Sequence, residues 1–166
     1  MSAAQNRVCL ILGSNIHPEE NIPRALRKLE QIFPVEAVSE VWETPAVGSE
    51  GPNFLNVAMV ITTSLDARTL KERVLRPLEA RLGRVRTADK YAPRTLDIDI
   101  VTWNAVILDH DVWRHAHLAV PVAELLPYHQ SDETGEYLEQ VARRLSRVTP
   151  IRARPEVSRN HSLAVA

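Results

Sequence analysis

The chain has 166 residues, 45% of them hydrophobic, and its 20 Lys and Arg against 21 Asp and Glu leave a formal charge of −1. That length suffices for one domain with a substantial core. So even a charge balance excludes a general attraction to nucleic acid or to an anionic membrane, and any basic site has to be local.

Cys9 is the single cysteine, which rules out an intramolecular disulfide or a cysteine metal cluster and fits a reducing compartment. It lies in Arg7 to Leu12, a nearly continuous apolar run of the kind found in a central strand covered on both faces. The N-terminus has no signal-peptide architecture and no later run reaches membrane-spanning length, so a soluble, cytoplasmic protein is expected. The strand ends at Gly13-Ser14-Asn15, where Gly permits close backbone approach and Ser and Asn favour a turn.

From Pro18 the period lengthens to that of a helix. Glu19 and Glu20 suit the first turn, and Ile22, Ala25, Leu26, Leu29, Ile32 and Phe33 form an apolar stripe that Pro34 ends. Val35 to Glu43 alternates as a strand, broken by a loop from Thr44-Pro45-Ala46-Val47-Gly48 to Asn53; Phe54 to Thr62 is then a buried strand. Ser64 or Asp66 can cap the next helix, whose stripe is Leu70, Val74, Leu75, Leu78 and Leu82, with Gly83 as terminator. Pro77 falls inside it, where a regular helix loses about 3 kcal/mol, so a kink or a helix in two pieces is expected.

Thr95 to Val101 reads Thr, Leu, Asp, Ile, Asp, Ile, Val. Strand side chains alternate faces, so Asp97 and Asp99 share one face while Leu96, Ile98 and Ile100 share the other. Two like charges on one face repel unless a cation intervenes. Hard oxygen ligands favour Mg²⁺ over Zn²⁺, and Mg²⁺ commonly takes one or two carboxylates, with phosphate oxygens and waters supplying the rest. A half-exposed strand with two solvated carboxylates is the other reading, and an isolated Asp-Ile-Asp leaves both open. Just upstream lie Arg84, Arg86, Lys90 and Arg94, with Tyr91 and Pro93 among them. Guanidinium forks bind phosphate oxygens bidentately, so this approach suits a triphosphate cradle.

After the aspartate strand, Trp103 to Val106 turns the chain into a short returning strand through Leu108. Pro121 to Leu126 reads as a short helical turn, and Glu136 to Leu145 as a helix with Tyr137, Leu138, Val141, Ala142 and Leu145 inward. Trp42 and Trp103 are expected in the core. Residues 150–166 read as a loosely held tail. The β-α-β-β-α-β order implies an α+β, ferredoxin-like split βαβ sandwich, an antiparallel-rich sheet with helices on one face, plus a C-terminal helical extension. A single domain over residues 1–166, with its core at about 7–146, is the economical organisation.

APRTLDIDIV, preceded by GRVRTADKY, resembles the signature of the 6-hydroxymethyl-7,8-dihydropterin pyrophosphokinase family, folate-pathway enzymes that move a diphosphate from ATP to a pterin alcohol. The resemblance runs from roughly Leu10 to Pro127 and includes Leu12-Gly13-Ser14-Asn15, Thr44-Pro45 with Gly48, Phe54-Leu55-Asn56, Glu79 and Gly83-Arg84-Val85-Arg86. It implies that Asp97 and Asp99 bind two Mg²⁺ ions bridging the ATP phosphates. It also implies that Arg84, Arg86 and Arg94 surround the nucleotide, with Arg84 and Arg94 acting beside the aspartates in catalysis. Tyr91, Ile100 and Glu79 would complete the nucleotide side. Thr44 and Asn56 would hydrogen-bond the pterin, with Pro45 in the same loop, the backbone near Val47 reading the ring's polar edge and Phe54 stacking on it. Taken singly, Phe54 also reads as core packing and Asn56 as a strand-edge polar residue.

The chain departs from the family after this strand. The loop is several residues shorter and lacks a His-Pro pair; His115 stands where an Arg is expected and His117 where the pterin-stacking Phe is expected. The segment from Asp109 to Ala116 is therefore expected to close less well over ATP, and a pocket with His117 as its second wall to be pH-sensitive. His110, His115 and His117 lack the four-ligand spacing of a structural zinc site. The implied activity is Mg²⁺-dependent diphosphate transfer from ATP with release of AMP. A different pterin-like acceptor, or a catalytically weak pterin- or nucleotide-binding paralogue, are the alternatives. An RNA-binding domain finds no support in charge or exposed strand aromatics. Expected partners are the two small substrates, with no nucleic acid and no membrane, in a monomer or weak homodimer.

Overall fold

The computed structural model describes residues 4–47, 50–83 and 95–158. The first strand, β1 (Asn6–Ser14), is apolar at both parities, and both of its edges are paired antiparallel: β4 (Phe54–Thr63) lies on one side and β5 (Asp97–Trp103) on the other. β6 (Val106–Ile107) extends the sheet beyond β5; β2 (Val35–Val38) and β3 (Trp42–Thr44) both pair with β4, and β7 (Arg152–Ala153) pairs with β3. The strand expected over 35–43 is thus two strands. Ser39 causes the break: its backbone N–H donates to Ala58 while its hydroxyl accepts the Ala58 N–H at 2.9 Å, so a side chain substitutes for one rung.

Helix α1 (Pro18–Ile32) packs on one face of the sheet, joining Leu10 and Leu12 to Ile22, Leu26 and Leu29. On the same face lie α2 (Ala67–Leu70), capped by Asp66, which accepts from the Thr69 N–H at 2.8 Å, a π turn over Lys71–Leu75, and α3 (Arg76–Arg81). The backbone stays right-handed helical at Leu70, Lys71, Leu75 and Arg76, so the helix runs unbroken to Arg81 and Pro77 follows a π turn, the adjustment that stands in place of the expected kink or break. The terminator Gly83 has φ +93, the left-handed region that other residues resist.

The antiparallel α+β sandwich is as expected, except that helices cover both faces of the sheet and not the α1 face alone. α4 (Ala116–Leu125) and α5 (Leu138–Ser146) cover the other, where Cys9, Ile11, Ala58, Val60 and Val101 meet Leu118, Val122, Leu138 and Val141. Burial there pushes the Cys9 thiol up to about 12, so it stays protonated and inert. α4 starts well before the expected Pro121: Ala116 and every residue from Leu118 to Ala123 are buried, so no polar face marks a helical period. Tyr137 is a second correction. It precedes α5 and is 42% exposed instead of inward, its ring edge-on to Tyr128. Trp42 and Trp103 are both half-buried against the two cores, and the Trp42 indole donates to Glu124 at 2.6 Å.

The expected loose tail is also corrected as far as Ser158. β7 hydrogen-bonds to β3, the Arg154 N–H donates to the Val41 carbonyl at 2.7 Å, and Val157 is buried in the α1-side core. Among the described residues, no helix is long and apolar enough to cross a membrane.

Candidate active site

The α4 side of the sheet is not covered along its whole length. Where α4 begins, the ends of β1, β3, β4 and β5 and the segment before α4 enclose a cavity of about 320 Å³. Asp97 and Asp99 project into it from β5, opposite Gly13 and Ile11 of β1. Their alternation with Ile98, which is buried in the other core, puts them on the cavity face. Asp109 and Asp111 join them from the 3-10 turn over His110–Trp113, with Asp109 capping the turn by accepting from the Asp111 N–H at 3.1 Å. Neither was singled out from sequence as a site residue.

Burial, the charge of Asp97 and then those of Asp109 and Glu79 push the Asp99 carboxyl up to about 7, with Arg76 opposing. Its unmet need is positive charge. No group of three or more His, Cys, Asp or Glu among the described residues is placed to hold a metal ion by itself. Two carboxylates offering hard oxygens fit Mg²⁺, which leaves its other positions to water and phosphate. They do not fit a self-contained zinc cage.

The other wall belongs to β3 and β4. Thr44 and Asn56 are both buried in the cavity lining, and the Asn56 amide donates to the Thr44 hydroxyl at 2.9 Å, a bond that uses neither the Thr44 proton nor the Asn56 carbonyl. Phe54, Pro45 and Val47 line the same wall. Gly13 makes this possible: a Cβ there would meet the Asn56 side-chain oxygen at 3.2 Å and the Phe54 ring at 3.6 Å. Its role is close approach by a neighbouring side chain.

Across from this wall stand His115 and His117, stacked with ring centroids 5.5 Å apart, and Leu118. Burial and then the neighbouring His115 bring the His117 imidazole down to about 4. At that value His117 is neutral from pH 6 to 8, so a pH dependence of this pocket near neutrality falls to Asp99 and not to His117 as expected from sequence. A depressed folded value means that its stabilisation is present above the ordinary value of 6.5 and is lost as pH falls through about 4. His117→Phe should therefore change pterin affinity by the same factor at pH 6, 7 and 8, measured by fluorescence titration, and should flatten the loss of melting temperature between about pH 6.5 and 4.

Two residues placed on the nucleotide side by resemblance, Glu79 and Ile100, do not line this cavity, which holds the aspartates and the Thr44–Asn56 wall. Glu79 is 1% exposed and off the cavity; its carboxylate accepts from the Ile98 N–H at 2.9 Å and pairs with Arg76 at 3.1 Å, bracing the aspartate strand. Ile100 points to the opposite face from the aspartates and packs against the α1-side core. Arg84, Arg86, Lys90, Tyr91 and Arg94, with Gly48 of the acceptor loop, lie outside the described residues.

Residues 9–127 match the family model described as 7,8-dihydro-6-hydroxymethylpterin-pyrophosphokinase. A 2-amino-4-hydroxy-6-hydroxymethyldihydropteridine pyrophosphokinase of Helicobacter pylori is 38% identical over 125 residues, 70% of this chain and 71% of the relative. Its counterpart in Bacillus subtilis is 32% identical over 147 residues, 81% and 87% of the two. Among solved structures, a crystal structure of Plasmodium falciparum HPPK-DHPS with pterin and p-hydrobenzoate superposes with a TM-score of 0.67 at 11% identity, over 86% of this chain and 45% of that one. At that identity the likeness concerns the fold.

Proposed function

This chain belongs to the 7,8-dihydro-6-hydroxymethylpterin-pyrophosphokinase family, and from that premise we propose that it transfers diphosphate from ATP to the hydroxymethyl group of 6-hydroxymethyl-7,8-dihydropterin; its relatives are named pyrophosphokinases of that pteridine. The acceptor oxygen forms a bond to the β-phosphorus, the bond between that phosphorus and the α,β-bridging oxygen breaks, and AMP leaves with the bridging oxygen. The acceptor gives up its hydroxyl proton; no side chain is assigned as its base. The observation that carries the reading is one cavity holding the Asp97–Asp99 pair on one side and the Thr44–Asn56 pair with Phe54 on the other.

Asp97 and Asp99 would hold Mg²⁺, two ions by family resemblance; bound there, it neutralises phosphate charge and polarises the transferred group. By family resemblance, Arg84, Arg86 and Arg94 would bind the phosphates and Tyr91 the nucleotide. The Thr44 hydroxyl donates to the acceptor ring, the Asn56 carbonyl accepts from it, and Phe54 and the neutral His117 give it two flat walls. With phosphoryl chemistry of this kind, positioning and electrostatics do most of the catalysis. We take the chain as one domain, acting in the cytoplasm as a monomer or weak homodimer.

Incubation with ATP, Mg²⁺ and 6-hydroxymethyl-7,8-dihydropterin should give AMP and the pterin diphosphate in equal amounts. ADP as the product would mean an ordinary kinase, and no turnover a binding protein. The His115–His117 stack, in place of an Arg and a Phe, favours one second reading, a related pterin as acceptor. A faster rate with another 6-substituted pterin would select it.

A further inference from the structure

Strand β3 is only three residues long, and its last residue, Thr44, opens into the loop that carries Pro45 and Val47. So short a strand is held weakly by its own ladder. Its outer edge is covered by β7, with Trp42 opposite Ala153 and Glu43 opposite Arg152, from a part of the chain beyond the residues matched by the family model.

The Glu43 carboxylate is where the two segments meet. One oxygen accepts from the Asn53 side chain at 3.1 Å, just before β4 resumes, so Glu43 ties the entry of the loop to its exit. The other takes the Arg154 guanidinium at 2.5 Å and Arg152 at 3.3 Å. Arg154, largely buried, also pairs with Glu156 and reaches Glu19 at the start of α1 at 3.4 Å. Its planar fork thus joins β3, α1 and the C-terminal strap at one point.

We infer that Arg154 is a positioning residue for the acceptor: through Glu43 it fixes the strand end and loop that present Thr44, Pro45 and Val47 to the ring. The inference rests on the reading of that wall as the acceptor side. Arg154 does not itself line the cavity, and its partners are Glu43, Glu156, Glu19 and the Val41 carbonyl, so its loss should weaken acceptor binding while sparing the nucleotide half.

The test compares the whole chain with Arg154→Ala, Arg154→Lys, Glu43→Gln and the Arg154→Ala/Glu43→Gln double variant. Arg154→Ala should raise KM for 6-hydroxymethyl-7,8-dihydropterin about tenfold, with kcat and KM for ATP within about twofold. The lysine variant should recover part of the loss, because it keeps the charge and not the fork. Glu43→Gln should act alike and the double variant should add little, since both break one link. A lower melting temperature with unchanged acceptor KM, or equal losses for both substrates, would overturn the inference. Should the wild type form no pterin diphosphate, the functional reading fails by itself and the strap is judged by amide hydrogen exchange. Arg154→Ala should then speed exchange at Thr44, Val47 and Asn53 and not at Leu10 or Met59; unchanged rates at the loop would overturn it.

Discussion

Asp99→Asn is expected to abolish diphosphate transfer while making the protein, in the absence of Mg²⁺, more resistant to heat at pH 8. Loss of a ligand to the ion that neutralises the transferring phosphates should lower kcat by on the order of a thousandfold. The gain in stability has a separate cause. Burial and the neighbouring acids raise the Asp99 carboxyl from 3.8 to about 7, so the folded protein binds this proton more tightly than the unfolded chain does. The resulting stabilisation is complete below about pH 3.8 and is lost as pH rises through about 7. Asparagine has the same shape and nothing to ionise. Its variant should melt roughly 2–4 °C higher at pH 8, the shift that about 1 kcal/mol produces in a domain of this size. Mg²⁺ should raise the melting temperature of the wild type at pH 8 and leave the variant unmoved, with EDTA reversing the effect. A variant that kept Mg²⁺-dependent turnover would remove Asp99 from the metal site.

Glu79→Ala should do the reverse, costing stability first. Its carboxylate is sealed between α3 and β5, where it satisfies the Ile98 N–H and the Arg76 guanidinium. Truncation leaves a buried donor and a half-buried cation without that partner, about 3 kcal/mol in all, or roughly 6–12 °C in melting temperature. Glu79→Gln keeps an acceptor for Ile98 and nearly the same volume, so its loss should be smaller. It also removes one of the charges that raise the Asp99 carboxyl, so the fall in stability between about pH 4 and 7 should be shallower than in the wild type. Urea melts of both variants at pH 5 and pH 8 would check this. If Glu79→Ala melted within about 1 °C of the wild type, bracing would not be its role.

Much of this protein was legible in the chain itself because the signals are local. Strict alternation put Asp97 and Asp99 on one side of β5 and Ile98 and Ile100 on the other, whatever the fold around them. Ile100, assigned to the nucleotide side by resemblance, is turned by the same alternation to the face opposite the cavity, against the α1-side core. Apolar residues at both parities of β1 announced cover on both faces, although not which helices would supply it. Thr44, Phe54 and Asn56 came from short motifs, and the structure brings all three to one wall.

Only the tertiary structure decided the rest. α4 carried no helical period because it is buried all round, and a two-residue strand such as β7 has no pattern to read before its partner β3 is known. Asp109, Asp111 and His115 entered the cavity through the path of the turn before α4. Helical periodicity gave no sign that Glu79 would be buried against a backbone N–H, which only packing decided. The charge state of His117 went the same way. Protonation depends on how much water and which charges surround the imidazole, and those are set by residues distant in the chain that no local pattern encodes.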